Sequence, residues 1–296
     1  MSDGLVLVVG GTGTLGSKVV DRLLARGKRV RALVRPTSQT KRLDAAGVEL
    51  ATGDLLEPES LRRALDGVDA VVTSAAGYTR HTPGDTIETD RTGNLNLIDA
   101  AAEVGVRRFV LTSILTCDQT PDVPHFWAKK LTEDALAERG VPFVALRPGA
   151  FVDDFGMWGG DGFAAGAVTT MGDSTVPLTR VYTPDLADNL AAAIDADIST
   201  SERIDIGWDR PLSARELVEI AGRILGRDLE LVELDPAQIR FPGMSDEART
   251  DLVAMFEYFR SGRYVADTRR QAEVFGSVPV AEDTMRRRLA ALGHIG

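Results

Sequence analysis

Leu5-Val-Leu-Val-Val-Gly10-Gly-Thr-Gly-Thr-Leu-Gly16 decides the fold. A short apolar run rich in β-branched residues, Leu5 to Val9, reads as a buried strand. Glycines at 10, 13 and 16 follow, and an amphipathic helix starts at once, with Leu15, Val19, Val20, Leu23 and Leu24 on one face and Gly27 as its stop. Strand, glycine turn and helix in that order predict a site for a dinucleotide pyrophosphate. Gly10 permits the tight turn, Gly13 lets phosphate approach the backbone, and Gly16 lets helix and strand pack closely. With Thr12, Thr14 and Leu15 these glycines form the candidate cradle, because a helix N-terminus offers free N–H groups and a positive dipole end.

Composition narrows the remaining classes. The chain has 296 residues, with 34 Lys and Arg against 44 Asp and Glu, a formal charge of −10. An acidic surface is a poor partner for nucleic acid, which requires a basic footprint. The basic trio Arg286-Arg287-Arg288 reads as a solvated helix face. One cysteine, Cys117, excludes a disulfide framework within one chain. The histidines His81, His125 and His294 lack ligand spacing, so no metal is expected. The first strand begins at residue 5, and no apolar run approaches membrane-spanning length. The expectation is a cytoplasmic monomer or homodimer, without a membrane partner.

Strand patterns at 5–9, 30–34, 48–51, 68–74, 106–113 and 141–147 alternate with helices. Gly27, Gly47, Gly67, Gly105 and Gly140 fit the position just past a helix end. Such alternation predicts an α/β fold, a Rossmann doubly wound parallel sheet, over residues 1–150. Residues 151–296 are assigned to a smaller C-terminal α+β lobe, with parts of 176–208 returning to the sheet. Residues 151–175, rich in glycine, aspartate and aromatics, read as a loop or lid. Ser213-Ala-Arg-Glu216 reads as a capping box.

The end of the second strand chooses the cofactor. NAD-binding folds place a carboxylate there for the ribose hydroxyls. This chain has Val34 followed by Arg35, with Ser38 and Lys41 beyond and no carboxylate in reach. A guanidinium forks onto phosphate and stacks on adenine, so NADP(H) is expected. Asp54 and Leu55 after the third strand, and Ala75 and Ala76 after the fourth, are further candidate contacts; plain turn chemistry explains both pairs equally well.

Gly-Gly-Thr-Gly-Thr-Leu-Gly16 resembles the fingerprint of extended and atypical short-chain dehydrogenase/reductases. Asp90 to Ala101 is similar to their long helix, and Gly105 to Ser113 to their fifth strand. Lys129-Lys-Leu-Thr-Glu-Asp-Ala-Leu, followed by Gly140 through Arg147-Pro148-Gly149, resembles the NmrA-like atypical group. That group includes NADPH sensors, quinone reductases and a triphenylmethane reductase. The resemblance implies cofactor contacts at Lys129, Pro148, Gly149 and Phe151. Classical members carry Tyr-x-x-x-Lys; here Lys129 matches the lysine, and His125 stands where the tyrosine would be. Residues i and i+4 share a helix face, so His125 and Lys129 are candidate catalytic residues, and a histidine can donate a proton near neutral pH. The competing readings are a surface histidine beside Pro124 and a lysine paired with Glu133. Ser113, with Thr112 and Thr116, is the candidate hydroxyl of the fifth strand.

Aromatic residues gather where the resemblance places a substrate. Tyr78 and His81 follow the fourth strand, Trp127 and Phe126 precede Lys129, and Phe151, Phe155, Met157 and Trp158 follow the sixth strand. The candidate pocket residues are Tyr78, Trp127, Phe151, Phe155 and Trp158. Met255, Phe256 and Phe259 recur at near-helical spacing and read as packing. The partner expected is a small hydrophobic or aromatic molecule: a quinone, imine, carbonyl or dye reduced by NADPH. Two alternatives stay open. One is a non-enzymatic NADP(H) sensor; the other is a sugar-nucleotide epimerase or dehydratase, disfavoured by the missing tyrosine.

Overall fold

A computed structural model of the chain describes residues 4–78, 84–199, 201–240 and 242–296. His81, named with Tyr78 after the fourth strand, lies outside them. In chain order, β1 (Leu5–Val9), α1 (Thr14–Ala25), β2 (Arg29–Val34), α2 (Lys41–Ala45), β3 (Glu49–Thr52), α3 (Pro58–Ala64) and β4 (Val68–Thr73) alternate strictly. A π-helix (Thr86–Gly93) then runs into α4 (Asn94–Val104), followed by β5 (Arg108–Thr112), α5 (Pro124–Glu138) and β6 (Phe143–Pro148). Next come β7 (Ala150–Phe151), α6 (Gly162–Ala165), β8 (Ala167–Met171), β9 (Arg180–Val181), α7 (Thr183–Ala192) and β10 (Glu202–Ile206). The chain continues through α8 (Ala214–Leu225), β11 (Glu230–Leu234), α9 (Asp246–Arg260), α10 (Arg269–Phe275) and α11 (Ala281–Ala291).

Among the described residues the central sheet has seven strands, in the order β10-β6-β5-β4-β1-β2-β3. β1 through β6 pair in parallel, which explains their continuous apolar character: helices cover both faces. All five residues of β1 are buried. The order reverses between β1 and β4, and such a switch point opens a crevice beyond the strand C-termini. Ser74 N–H donates to Val9 O at 3.0 Å, so the chain leaving β4 runs beside the turn leaving β1.

Two compact units result: Met1–Arg147 with Thr183–Ile204, and Pro148–Tyr182 with Asp205–Gly296. The stretch returning to the first unit carries α7, whose Asp188 pairs with Arg22 of α1 at 2.6 Å. In the second unit, β8 pairs in parallel with β11 and β7 with β9. Its core gathers Val152, Phe163, Trp208, Leu217 and Met285. The capping box at Ser213 and Glu216 is formed in full and starts α8.

Two expectations are corrected. Residues 151–175 are not an open loop: α6 and β8 lie within them, too short for periodicity to reveal. The basic trio is not uniformly solvated. Arg288 is 2% exposed and donates to the carbonyls of Asp153 at 2.8 Å and Phe155 at 2.5 Å, while Arg286 and Arg287 face out.

Candidate active site

The glycine turn is shaped by close approach. Gly10 has φ +87, and a Cβ at Gly16 would stand 2.1 Å from Gly10 O, so neither position accepts another residue without displacement. Gly13 differs. A Cβ there would meet only Gly10 O at 3.3 Å, so its outer side is open. No side chain caps α1, and its first turn holds no acid. Thr12, Gly13 and Thr14 are exposed, whereas Leu15 is buried against the sheet. The free N–H groups of this turn therefore suit phosphate oxygens.

At the end of β2 the Arg35 backbone closes a turn, its N–H donating to Ser38 Oγ at 3.1 Å. Its exposed guanidinium has no hydrogen bond or ion pair to any described residue. Asp54 is occupied locally: its carboxylate accepts from Leu56 N–H at 2.9 Å and shapes the entry to α3. The Leu55 carbonyl accepts from Asn96 Nδ2 at 3.0 Å.

Lys129 is 4% exposed, and its partner is not Glu133. Its Nζ lies 3.5 Å from Asp90 Oδ1 and donates to Ala75 O at 3.1 Å. Asp90 is fully buried on the π-helix, and its other oxygen accepts from the N–H groups of Gly77 at 3.0 Å and Tyr78 at 2.9 Å. One carboxylate therefore ties the segment leaving β4 to the lysine of α5. Ala76 sits half-buried inside that segment. π-helical turns are frequent at functional sites, and this one carries Asp90. No local signal in the sequence links Asp90 to Lys129, because the 39 positions between them exceed any helical spacing.

His125 is 2% exposed, not a surface residue. Its ring stacks on Tyr78 at 4.2 Å between centroids, with Phe126 edge-on at 4.8 Å. Lys130 turns away from Lys129, forming an ion pair with Asp134 and lying 5.2 Å above the Trp127 ring. Trp127 thus belongs with the Lys130 side of α5.

Glu133 forms a separate buried cluster. It is 1% exposed and accepts from Arg147 Nε at 2.9 Å and Nη2 at 2.6 Å, and from Arg203 Nε at 2.7 Å. Ser113 donates its hydroxyl to the same carboxylate at 2.6 Å. Burial pulls the Arg147 guanidinium down, but the bonds to Glu133 more than offset this and hold it raised. Burial first, and the Glu133 carboxylate second, push the Cys117 thiol up to about 12. Of the three candidate hydroxyls, Ser113 is given to Glu133, and Thr116 donates to Leu115 O at 2.7 Å. Thr112 Oγ1 is buried at the end of β5 with no hydrogen-bond partner among the described residues. Thr116 has φ +58, the one described non-glycine residue in the left-handed region, so this loop stores strain beside the site.

Pro148, Gly149, Phe151, Phe155 and Trp158 belong to the second unit. Pro148 O accepts from the Tyr264 hydroxyl at 3.3 Å, and Gly149 N–H donates to Ile206 O at 3.0 Å. A Cβ at Gly149 would lie 2.4 Å from Thr179 O, so strand packing alone requires glycine there. Phe151 is 37% exposed, Trp158 is half-buried and Phe155 is buried. Phe256 and Phe259 meet edge-on at 5.9 Å, and Phe259 touches Tyr264 at 4.6 Å, as expected of packing. Among the described residues no group of His, Cys, Asp and Glu could hold a metal, and no helix is long and apolar enough to cross a membrane.

The model of the NmrA-like family matches residues 2–279. Photosystem II assembly factor Ycf39 of Synechocystis is 30% identical over 291 residues, covering 95% of this chain and 88% of that protein. NAD(P)H azoreductase of Xenophilus azovorans is 32% identical over 244 residues, covering 80% and 79%. Among solved structures, Citrobacter triphenylmethane reductase complexed with NADP(H) superposes with a TM-score of 0.79 at 21% identity, over 96% of this chain and 99% of that one.

Proposed function

The chain belongs to the NmrA-like family, and on that premise we propose that it is an NADPH-dependent reductase of flat hydrophobic or aromatic acceptors: quinones, imines, carbonyls or dyes. One observation carries the reading. At the switch point, where α1 offers an uncapped N-terminus, a buried lysine is locked by Asp90 and Ala75. A structural lysine would stay at the surface; this one is held in place at the cost of desolvation.

The residues fit NADP(H). The open side of Gly13 and the free N–H groups of α1 suit the pyrophosphate, and the unengaged Arg35 suits a 2′-phosphate. NADPH, when bound, supplies the hydride. Lys129 offers hydrogen bonds and positive charge to the ribose and to charge developing on the acceptor. Asp90 is a positioning residue, fixing both Lys129 and the backbone of Gly77 and Tyr78. His125, stacked on Tyr78, is the proton donor for acceptors that need one. Thr112 offers the free hydroxyl, in place of Ser113. No tyrosine stands one turn before Lys129, which speaks against an epimerase or alcohol dehydrogenase.

Likeness to Ycf39 favours a second reading, an NADP(H)-responsive assembly or sensor protein. A panel of quinones, imines and cationic dyes, followed by loss of NADPH absorbance, separates the two. Turnover with any acceptor supports the reductase; binding of NADPH without oxidation by any of them supports the second reading.

A further inference from the structure

Three arginines are buried among the described residues: Arg147, Arg180 and Arg288. Two have oxygen partners. Arg147 holds Glu133 and Asp118, and Arg288 holds the carbonyls of Asp153 and Phe155. Arg180, on β9, has none. It is 9% exposed, and its side chain has no hydrogen bond or ion pair to a described residue. Its guanidinium carbon lies 5.7 Å from the centre of the Phe155 ring. Nε is sealed from solvent without a hydrogen-bond partner, and no described residue bonds the two terminal nitrogens.

This arrangement is costly as a purely structural one. A buried charge requires a counter-charge or a set of acceptors, and a cation–π contact offsets only part of its desolvation. Burial pulls the Arg180 pKa down to about 10, opposed only by the Tyr264 phenol. At neutral pH the group is still a cation. The nearby ring is fixed by the core of the second unit, 6.4 Å from the Phe163 ring, while Arg180 lies over its face. The ring backs the guanidinium on one side, and the unspent fork matches an anionic substituent of a ligand, because it takes two oxygens at once.

We infer that Arg180 and Phe155 form an anion subsite for the substrate, so that the preferred acceptors are aromatic molecules carrying a carboxylate, sulfonate or phosphate. The inference deepens the reductase reading and rests on placing Phe155 at the substrate. The second unit then selects substrate by charge.

The test is calorimetric titration of NADP⁺-saturated protein, which needs no turnover. The probes are anthraquinone-2-sulfonate and its uncharged analogue 2-(hydroxymethyl)anthraquinone. Wild type should bind the sulfonate at least about tenfold more tightly, the scale of a charge-assisted hydrogen bond. Arg180→Met should abolish that preference while holding the neutral probe within about threefold, and Arg180→Lys should keep part of it. Without ligand, Arg180→Met should melt at or above wild type, because it removes an unpaired buried charge; a clear loss of stability would mean a structural arginine. Equal binding of both probes by wild type, or equal loss of both in Arg180→Met, overturns the inference. Weakened NADP⁺ binding in Arg180→Met would assign the anion to the cofactor, and that overturns it too. If both quinones are reduced without preference, the reductase stands and the subsite falls. If the sulfonate binds selectively but no acceptor is reduced, the subsite stands and the reductase falls.

Discussion

Replacing Asp90 by Asn removes one charge and almost no volume. In wild type, Asp90 Oδ1 faces Lys129 Nζ at 3.5 Å with both side chains buried. At an effective dielectric constant near 20 the Coulomb attraction at this separation is about 5 kcal/mol, opposed by the desolvation of both ions. The Asn carbonyl can still accept from the N–H groups of Gly77 and Tyr78, so the charge is the main loss. Breaking a buried pair on one side costs about 3–5 kcal/mol, and Asp90→Asn should fall in that range by urea unfolding. Lys129→Met should cost less, since the remaining carboxylate keeps its two N–H donors. The double variant should recover much of the Asp90→Asn loss, giving a coupling of about 2 kcal/mol or more. Additive single effects, or an Asp90→Asn cost below about 1 kcal/mol, would refute the view that Asp90 holds the lysine in place.

Other expectations follow from the same geometry. Arg35→Glu should weaken NADPH binding by about 1–3 kcal/mol and favour NADH, by calorimetry, with the melting temperature unchanged. Gly16→Ala, whose Cβ would stand 2.1 Å from Gly10 O, should abolish NADPH binding and destabilise the fold by at least about 1–3 kcal/mol in urea. Cys117 ionises near 9 when unfolded and is pushed up to about 12 by burial, so the folded state retains a proton that the unfolded state loses. Its contribution is therefore complete below pH 9 and is lost above it, by about 1.4 kcal/mol per pH unit; Cys117→Ala should flatten that part of the stability profile between pH 9 and 11. His125→Phe should slow reduction of imines and carbonyls, which need a proton, and spare cationic dyes, which hydride alone completes.

The opening of the parallel sheet was legible because its signals are local. The apolar run of β1, the glycine turn and the periodic face of α1 lie within about two dozen residues, and each constrains the next. The place of Arg35, just past the end of β2, was legible for the same reason. The partners of the buried charges were not. Lys129 reads as a neighbour of Glu133 one helical turn on, yet it pairs with Asp90, while Glu133 collects Arg147 and Arg203 from other elements. Helical spacing says which residues share a face, not what the sheet brings against that face. Arg180 carries no signal in the sequence, and Arg288 reads as solvated there, because burial of an arginine is a tertiary property. Ser113 was a reasonable candidate by position, but the hydroxyl left over at the end of β5 is that of Thr112.

Transfer of a labelled hydride tests the central claim most directly. NADPH carrying deuterium at C4 of the nicotinamide, on either face in separate reactions, is incubated with the protein and a cationic triarylmethane dye. The account predicts dye decolorised in step with NADPH loss, with deuterium from one face on the central carbon of the product by mass spectrometry, and a Lys129→Met variant slower by about tenfold or more. Tight NADPH binding with no label in any product from either face would contradict it.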